Sequence, residues 1–411
     1  MRDELLSTLA KNPTAVHLVR TARDARARRQ PQHTIDVAPE RPNGVNLIGH
    51  LGGEFGLGAS ARLVDEALLA AQIPTSTFAI PTSGLGLRRN EAEFRQSSEE
   101  IYNTSILAVA QIRTVEIMRS LAAVVEGSYR IGMWYWEIEY FIPGFMPAFR
   151  ELDEIWAPTD FIKDAITAQA PIPVRTIMPP LPQRVGREKP APPAELGFAA
   201  RKPYFLFVFD YLSFELRKNA VGLIAAFKRA FKPNEGPLLV IKTMGGNKRP
   251  YDVARVKAAV GDRKDIILID KYLTEAELDG LMANCAAYVS LHRAEGLGLT
   301  IAEAMAWGRP VIVSEYSGNM QFNTPENAFL VPCGRAKIPR KRTSPYYPAG
   351  QPWGDPDLDY AAKLMRYVLD NPAVAAQKGE QAALDIATKF TPEVSGVKMK
   401  KALEDIWGTV G

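Results

Sequence analysis

Runs of consecutive apolar residues alternate with amphipathic segments along most of this chain. In the first half, an apolar run at 44–50 precedes a glycine-rich loop, an amphipathic segment at 59–72 and a short apolar run at 75–80. Short apolar runs bounded by turn residues are typical of buried strands, and apolar residues at helical spacing are typical of helices. The order strand, loop, helix, strand predicts one β-α-β unit.

The alternation is more regular after residue 203. Strand-like runs lie at 204–211, 237–243, 265–270, 286–292 and 310–314, and helix-like segments lie at 217–231, 275–285 and 301–308. Strands that alternate with helices at this spacing predict a parallel, doubly wound sheet. The stretch at 179–201 is rich in proline, glycine and charge, which predicts a boundary between two domains.

We therefore predict an α/β protein with two Rossmann-like, doubly wound domains. The predicted segments are a basic N-terminal arm at 1–40, an N-terminal domain at 41–185, a linker at 186–202, a C-terminal domain at 203–388 and a C-terminal helix at 389–411. A helix added after a complete domain often packs elsewhere, and one place for it is the N-terminal domain.

Composition narrows the class of protein. The 411 residues suffice for two cores, and a formal net charge of +4 argues against a dedicated nucleic-acid binder. The two cysteines, Cys285 and Cys333, form no CxxC pair, which excludes a disulfide framework and argues against a zinc site. Because no apolar run reaches ~20 residues and the N-terminus lacks the apolar core of a signal peptide, we expect a cytoplasmic protein.

The N-terminal arm is strongly basic. Its segment 17–30 carries five arginines against one aspartate. The segment is either a solvated arm or a patch that contacts anionic lipid, or a lipid diphosphate, at the inner face of a membrane.

Two glutamates flank a glycine turn where a predicted strand leads into a predicted helix. Ligands of doubly wound sheets bind beyond the carboxyl ends of strands, and a helix N-terminus offers N–H groups that suit a phosphate or a sugar hydroxyl. Glu295 lies in the turn, outside any obvious helix cap, and is therefore a functional candidate. Thr300 and Glu303 also fit the S/T-x-x-E capping box, so a purely structural role for Glu303 stays open.

The residues at 292–322 resemble the Glu-x7-Glu signature of family 4 glycosyltransferases, which have the GT-B fold of two Rossmann-like domains facing across a cleft. The segments at 207–231, 270–296 and 353–368 are similar to the family's flanking segments, so the resemblance covers most of the chain. It implies that Glu295 lies at the donor sugar and that Glu303 accepts hydrogen bonds from ribose hydroxyls. It also implies that the N–H groups of Gly298, Leu299 and Thr300 hold sugar or phosphate oxygens.

The resemblance assigns cations to the diphosphate. Lys218 would pair with it, because negative charge grows on the leaving group as the glycosidic bond breaks. The arginine that the family usually has a few residues before this lysine is absent, so Arg217 and Lys242 are candidates for the same role. The alternative for each is a solvated charge on a helix or at a strand end.

Candidates in the first domain follow from the same resemblance. Gly52 and Gly53 stand in the glycine loop that the family turns toward donor phosphates and acceptor. Glu137, beside Trp136, occupies a region where family members often carry a histidine. Either Glu137 contacts a sugar hydroxyl and the tryptophans form a sugar platform, or this segment is aromatic packing. We count Glu295 and Glu137 as the catalytic candidates.

The resemblance implies a retaining, metal-independent glycosyltransferase that acts on a glycan or lipid-linked glycan in bacterial surface polysaccharide synthesis. GDP-mannose is the first expectation for its donor, with UDP-glucose, UDP-GlcNAc or a deoxysugar donor as alternatives. No cofactor or metal is expected beyond this co-substrate, since His50 and His292 are not at metal-ligand spacing.

Two other classes stay open. One is a non-catalytic nucleotide-sugar-binding protein. The other is an NAD-dependent oxidoreductase, for which residues 56–61 fit G-x-G-x-x-A. The acid that this fingerprint requires ~20 residues further on is missing from the end of the second strand.

Overall fold

The computed structural model describes residues 35–81, 100–193, 202–342 and 344–410, which divide into two compact units. The first unit contains the described residues up to Pro180 and those from Pro392 onward, and the second runs from Leu181 to Thr391. Most of the arm predicted at 1–40 lies outside the described residues. No helix in the described part of the chain combines the length and apolar character needed to span a membrane.

The first unit contains a parallel six-stranded sheet in the order β2-β1-β3-β4-β5-β6. Its strands are β1 (Val45–Gly49), β2 (Thr75–Ala79), β3 (Thr104–Ala108), β4 (Tyr129–Met133), β5 (Glu154–Ala157) and β6 (Val174–Thr176). Every residue of β1 and β3 is buried, as expected for central strands covered on both faces. The strand order reverses between β1 and β3, and the predicted glycine loop follows β1 at that point.

Helices cover the first sheet. They are α1 (Gly56–Ala70), α2 (Thr114–Ser120), α3 (Ala122–Val125), α4 (Met146–Phe149) and α5 (Asp160–Thr167). Helix α5 has the cap that its sequence indicates, because the Thr159 hydroxyl accepts from the Ile162 N–H at 3.3 Å. Helix α1 already begins at Gly56, so the G-x-G-x-x-A stretch lies inside a helix and not in the turn that a dinucleotide requires.

The second unit contains another parallel six-stranded sheet, in the order β12-β11-β10-β7-β8-β9. Its strands are β7 (Tyr204–Asp210), β8 (Leu238–Met244), β9 (Ile266–Asp270), β10 (Ala287–Ser290), β11 (Val311–Ser314) and β12 (Phe329–Val331). The helices of this unit are α6 (Glu215–Lys218), α7 (Ala220–Ala230), α8 (Pro250–Val260), α9 (Glu275–Asn284), α10 (Leu299–Ala306), α11 (Leu358–Asp370) and α12 (Pro372–Lys389).

An antiparallel hairpin interrupts the second unit between β12 and α11. Its strands are β13 (Cys333–Lys337) and β14 (Pro352–Pro356). The sequence pattern did not predict this hairpin, because the segment is rich in proline and charge and lacks the apolar alternation of a strand.

The last helix, α13 (Pro392–Val410), belongs to the first unit. Met399, Leu403 and Ile406 are buried in the same apolar core as residues of α1. Gly396 lies against the Ala67 carbonyl, where a Cβ would overlap that oxygen. The chain therefore returns to the first sheet after completing the second.

Candidate active site

A buried histidine, His292, holds the loop after β10 through hydrogen bonds to residues at the end of β10 and just after β11. His292 Nε2 lies 3.0 Å from Asn319 Oδ1 and 3.2 Å from the Tyr316 carbonyl, and Nδ1 lies 3.0 Å from Ser290 Oγ. The Nε2 partners can only accept in this arrangement, so Nε2 carries the proton and Nδ1 accepts from Ser290. Burial lowers the pKa of His292, which keeps it neutral near pH 7. This histidine has a structural role.

Glu295 lies in this loop between two cations. Arg217 Nη1 is 3.0 Å from one carboxylate oxygen, and Lys218 Nζ contacts the other. Burial alone would raise the pKa of Glu295, but the Lys218 and Arg217 charges outweigh it and lower the pKa to about 2. Glu295 is therefore a carboxylate at neutral pH and cannot serve as a general acid.

Arg217 is more enclosed than the sequence indicated. Only 3% of the residue is exposed, and its guanidinium donates to the Ser213 carbonyl at 3.2 Å and the Ala294 carbonyl at 2.7 Å. Because its donors already hold two carbonyls and Glu295, Arg217 orients the site. Lys218 has a more exposed side chain, at 14%.

The helix that follows the loop begins with a left-handed glycine. Gly298 is the N-cap of α10, with φ 93° and no side-chain cap. The capping box, which the sequence left open as the alternative for Glu303, is wrong. Thr300 is the second residue of the helix, and its hydroxyl accepts from the Tyr288 hydroxyl at 2.8 Å. The N–H groups of Leu299 and Thr300 belong to the first turn, where a helix has no internal acceptors for them.

Glu303 lies one turn further along α10. Its carboxyl is crowded but partly open, and this desolvation raises its pKa to about 7 although the Arg184 charge opposes the shift. Arg184 is itself paired with Asp279, at 3.2 Å, and Asp279 accepts from the Trp307 indole at 3.0 Å. Arg184 was missed because it lies in the proline-rich boundary segment, where no local pattern points to α10.

The charges of three lysines affect the pKa of one aspartate, Asp210, near the carboxyl ends of β7 and β8. Lys218, Lys242 and Lys248 all oppose the rise that burial causes in the pKa of Asp210. Burial lowers the pKa of Lys242, with the Asp210 and Asp270 charges opposing the shift. Lys242 is only 5% exposed, so it contributes mainly to the potential of this region.

The inserted hairpin braces the segment that carries Arg217 and Lys218. Phe214, a non-glycine residue with φ 67°, stacks on Tyr347 with ring centroids 4.9 Å apart. Trp353, almost completely buried, packs against both the Phe214 ring and the Arg293 guanidinium. The hairpin thus contacts both the α6 segment and the loop that contains Glu295.

In the first unit, the glycine loop folds back on α1. The N–H of Gly53 donates to the His50 carbonyl at 2.8 Å, and Arg62 donates to the Gly53 carbonyl at 2.8 Å. A Cβ at Gly58 would overlap the Gly53 carbonyl, so this close approach requires glycine. Gly52 is partly exposed beside it.

The aromatic segment after β4 is core packing. Trp134 and Trp136 are at most 2% exposed, and both pack against the Phe141 ring. Of the two alternatives for the tryptophans, aromatic packing is confirmed and the sugar platform is wrong, because neither indole presents a free face. Glu137 is partly exposed between buried neighbours.

The structure brings Glu295, Arg217 and Lys218 together, with Glu303 on the adjoining helix. Gly52, Gly53 and Glu137 belong to the first unit. Fold and site define an α/β protein with two acids, a glycine turn and converging cations at the carboxyl end of a parallel sheet.

Residues 189–338 match the family model described as Glycosyl transferases group 1. The chain therefore carries a domain of this group. Within it lie the two acids of the site, Glu295 and Glu303, and the cations Arg217, Lys218 and Lys242, whereas Arg184 lies just before it. No curated protein matches the chain.

Three solved structures show what the fold is similar to. A sucrose-phosphate synthase from Thermosynechococcus elongatus is 17% identical, with a TM-score of 0.63 over 89% of this chain and 100% of that one. HepE from Anabaena, in complex with UDP and glucose, is 15% identical, with a TM-score of 0.63 over 88% and 100%. A TarM mutant from S. aureus, in complex with UDP, fondaparinux and α-GlcNAc-glycerol, is 13% identical, with a TM-score of 0.54 over 74% and 56%. The predicted fold of two Rossmann-like units, similar to that of GT-B glycosyltransferases, is confirmed.

Proposed function

We propose that this chain is a retaining glycosyltransferase of family 4 that moves a sugar from a nucleoside diphosphate to a hydroxyl acceptor. The observation that carries the proposal is the Glu295 carboxylate held by Arg217 and Lys218 beside the α10 N-terminus. This arrangement lies within the residues that match the Glycosyl transferases group 1 model.

The charges fit a leaving diphosphate. Negative charge grows on the phosphate oxygen as the anomeric carbon–oxygen bond breaks, and preorganised cations and helix N–H groups stabilise it. Lys218 and the N–H groups of Gly298, Leu299 and Thr300 would receive these oxygens, with Lys242 adding to the potential. Glu303 would accept from the ribose hydroxyls.

The low pKa of Glu295 supports an electrostatic role at the donor sugar. A carboxylate bound by two cations is a poor nucleophile, so we favour attack from the face that the diphosphate leaves. The acceptor oxygen bonds to the anomeric carbon, the carbon–phosphate oxygen bond breaks, and the acceptor proton passes to a leaving phosphate oxygen. Glu137 would contact a sugar hydroxyl, and the loop that contains Gly52 and Gly53 would face donor phosphates and acceptor. No cofactor or metal takes part in this scheme.

The donor is assigned by class. The sequence gives GDP-mannose as the first expectation, whereas the HepE and TarM structures hold UDP. Guanosine and uridine donors should therefore be tested first. A glycan or lipid-diphosphate-linked glycan of a bacterial surface polysaccharide, such as lipopolysaccharide, is the proposed acceptor. The basic arm at 1–40 would bring the protein to the membrane that carries it.

A thermal-shift screen with GDP, UDP, dTDP and ADP tests the donor site. A ligand at ~100 times its dissociation constant stabilises the protein by about 2.7 kcal/mol. The nucleotide that produces this shift identifies the base of the donor. The matching nucleotide sugar is then assayed for transfer or hydrolysis in the parent, in Glu295→Gln and in Glu380→Gln, an exposed control on α12.

We expect turnover in the parent and the control and almost none in Glu295→Gln. Binding without turnover in the parent would favour a non-catalytic binder, and protection by NAD alone would favour an oxidoreductase. Either result would contradict the proposal.

A further inference from the structure

The turn at Ser317 has a strained backbone next to Glu295. Its φ of 77° and ψ of −154° lie in a region that is essentially confined to glycine. Phe214 and Asn219 are other non-glycine residues with positive φ, and they flank the segment that carries Arg217 and Lys218. Strain of this kind persists only where the surroundings over-determine it, and it clusters at functional sites.

The Ser317 turn holds both backbone groups of Glu295. The N–H of Glu295 donates to Ser317 Oγ at 2.8 Å, and the N–H of Gly318 donates to the Glu295 carbonyl at 2.9 Å. Gly318 lies so close to Gly296 that a Cβ would overlap the Gly296 carbonyl. The loop after β10 and the turn after β11 are therefore locked together at the peptide of Glu295.

Side-chain hydrogen bonds tie this turn to the sheet. The Asn319 amide donates to the Ser314 carbonyl at 3.0 Å, and Ser314 Oγ donates to the His292 carbonyl at 2.7 Å. Since these groups are buried, the network leaves little freedom for the turn. Ser317 is the member whose hydroxyl reaches the Glu295 peptide.

We propose that Ser317 is a positioning residue that holds Glu295 for sugar transfer, an inference that rests on the proposed function. A turn that needed only this shape would accommodate glycine without strain. The serine adds a hydroxyl that accepts from Glu295 and donates to the Tyr316 carbonyl. The side-chain contacts of Arg217 and Lys218 then fix a carboxylate whose main chain is already immobile.

Three variants separate the effect of the Ser317 hydroxyl from the effect of its strained backbone. Ser317→Gly removes both, Ser317→Ala removes only the hydroxyl, and Asn234→Gly relaxes another positive-φ residue with no contact to Glu295. In the ligand-free protein, we expect the Glu295 amide to exchange roughly 5- to 10-fold faster in both Ser317 variants, as the loss of one hydrogen bond predicts. Asn234→Gly should exchange like the parent, and Ser317→Gly should melt above Ser317→Ala.

Steady-state kinetics with UDP-glucose and GDP-mannose test the positioning role. We expect both Ser317 variants to lose roughly 5- to 10-fold in kcat, with donor KM within about twofold of the parent. Parental kcat in Ser317→Gly would overturn the positioning role, and parental exchange at Glu295 would overturn the contact itself. If the parent turned over neither donor, the proposed function would fail with these donors, and the exchange measurement would still decide whether Ser317 holds Glu295.

Discussion

The Arg217 guanidinium lies 3.0 Å from the Glu295 carboxylate, and both residues are more than nine-tenths buried. The pair joins the α6 segment to the loop after β10. Because each charge compensates the other away from water, the stability of the second unit and the chemistry of the donor site depend on the same contact.

Glu295→Gln should destabilise the protein as well as inactivate it. A pKa of about 2, against an ordinary value of 4.5, corresponds to about 3 kcal/mol of stability at neutral pH. This contribution is complete above pH 4.5 and is lost as pH falls toward 2. Urea unfolding measured from pH 7 to pH 3 should therefore show that the free energy of unfolding falls less steeply with pH in the variant than in the parent.

The double variant Arg217→Met/Glu295→Gln tests why Glu295→Gln should lose stability. If an uncompensated Arg217 charge causes the loss, the double variant should unfold at higher urea than the sum of the single effects predicts. Additive effects would contradict a coupled pair.

Glu303 should produce the opposite pH dependence. Burial raises its folded-state pKa to about 7, so its favourable contribution is complete below the ordinary value of 4.5 and is lost as pH rises through 7. Glu303→Gln should match the parent in melting temperature near pH 4 and exceed it near pH 8. At pH 8 its free energy of unfolding should be higher than that of the parent by at most about 3 kcal/mol. Parallel melting curves across this range would contradict the raised pKa.

The same variant tests the ribose contact. Gln keeps one acceptor and places a donor where the second acceptor should be, and a hydrogen bond to a charged group contributes about 1.5–3 kcal/mol. We expect calorimetry at pH 8 to show nucleoside diphosphate affinity roughly 10- to 150-fold below the parent. Parental affinity would remove the ribose assignment. The capping box no longer competes as an explanation, since Gly298 begins the helix.

Lys218→Met should weaken diphosphate binding and its salt dependence together. A charge-assisted contact of about 1.5–3 kcal/mol corresponds to roughly 10- to 150-fold in affinity. UDP and GDP titrations at low and high salt measure both effects, with Lys257→Met as an exposed control on α8. An unchanged salt slope in Lys218→Met would assign the diphosphate to other groups.

Tyr347→Ala should disturb the donor site from a distance. Truncating this buried ring removes its stacking on Phe214, at a cost of about 3–5 kcal/mol by analogy with other buried aromatic residues. Nucleotide affinity should fall with stability, because Phe214 leads into the Lys218 segment. Tyr346→Ala, at a neighbour that is 37% exposed, should cost about 1 kcal/mol or less. Equal effects of the two variants would contradict the idea that the hairpin stabilises the donor site.

The pattern of apolar runs and turn residues was enough to predict the two α/β units and the Glu295 turn. Buried parallel strands must be almost continuously apolar, so runs such as 204–211 identify strands without knowledge of their neighbours. The acids of the turn could also be found locally, because the strand end, the glycines and the helix start are adjacent in the chain.

The partners of these residues lie far away in the chain, so they could be found only in the folded protein. The Arg217 side chain is committed to Glu295 and two carbonyls, one of them 77 residues away in the chain, and no local pattern reports that distance. Trp136 is apolar and follows a strand whether it packs in a core or faces a sugar, and its neighbours decide between the two. Ser317 reads as an ordinary turn residue in Ser-Gly-Asn. Its contact with the Glu295 amide exists because parallel strands bring their carboxyl ends to one edge of the sheet.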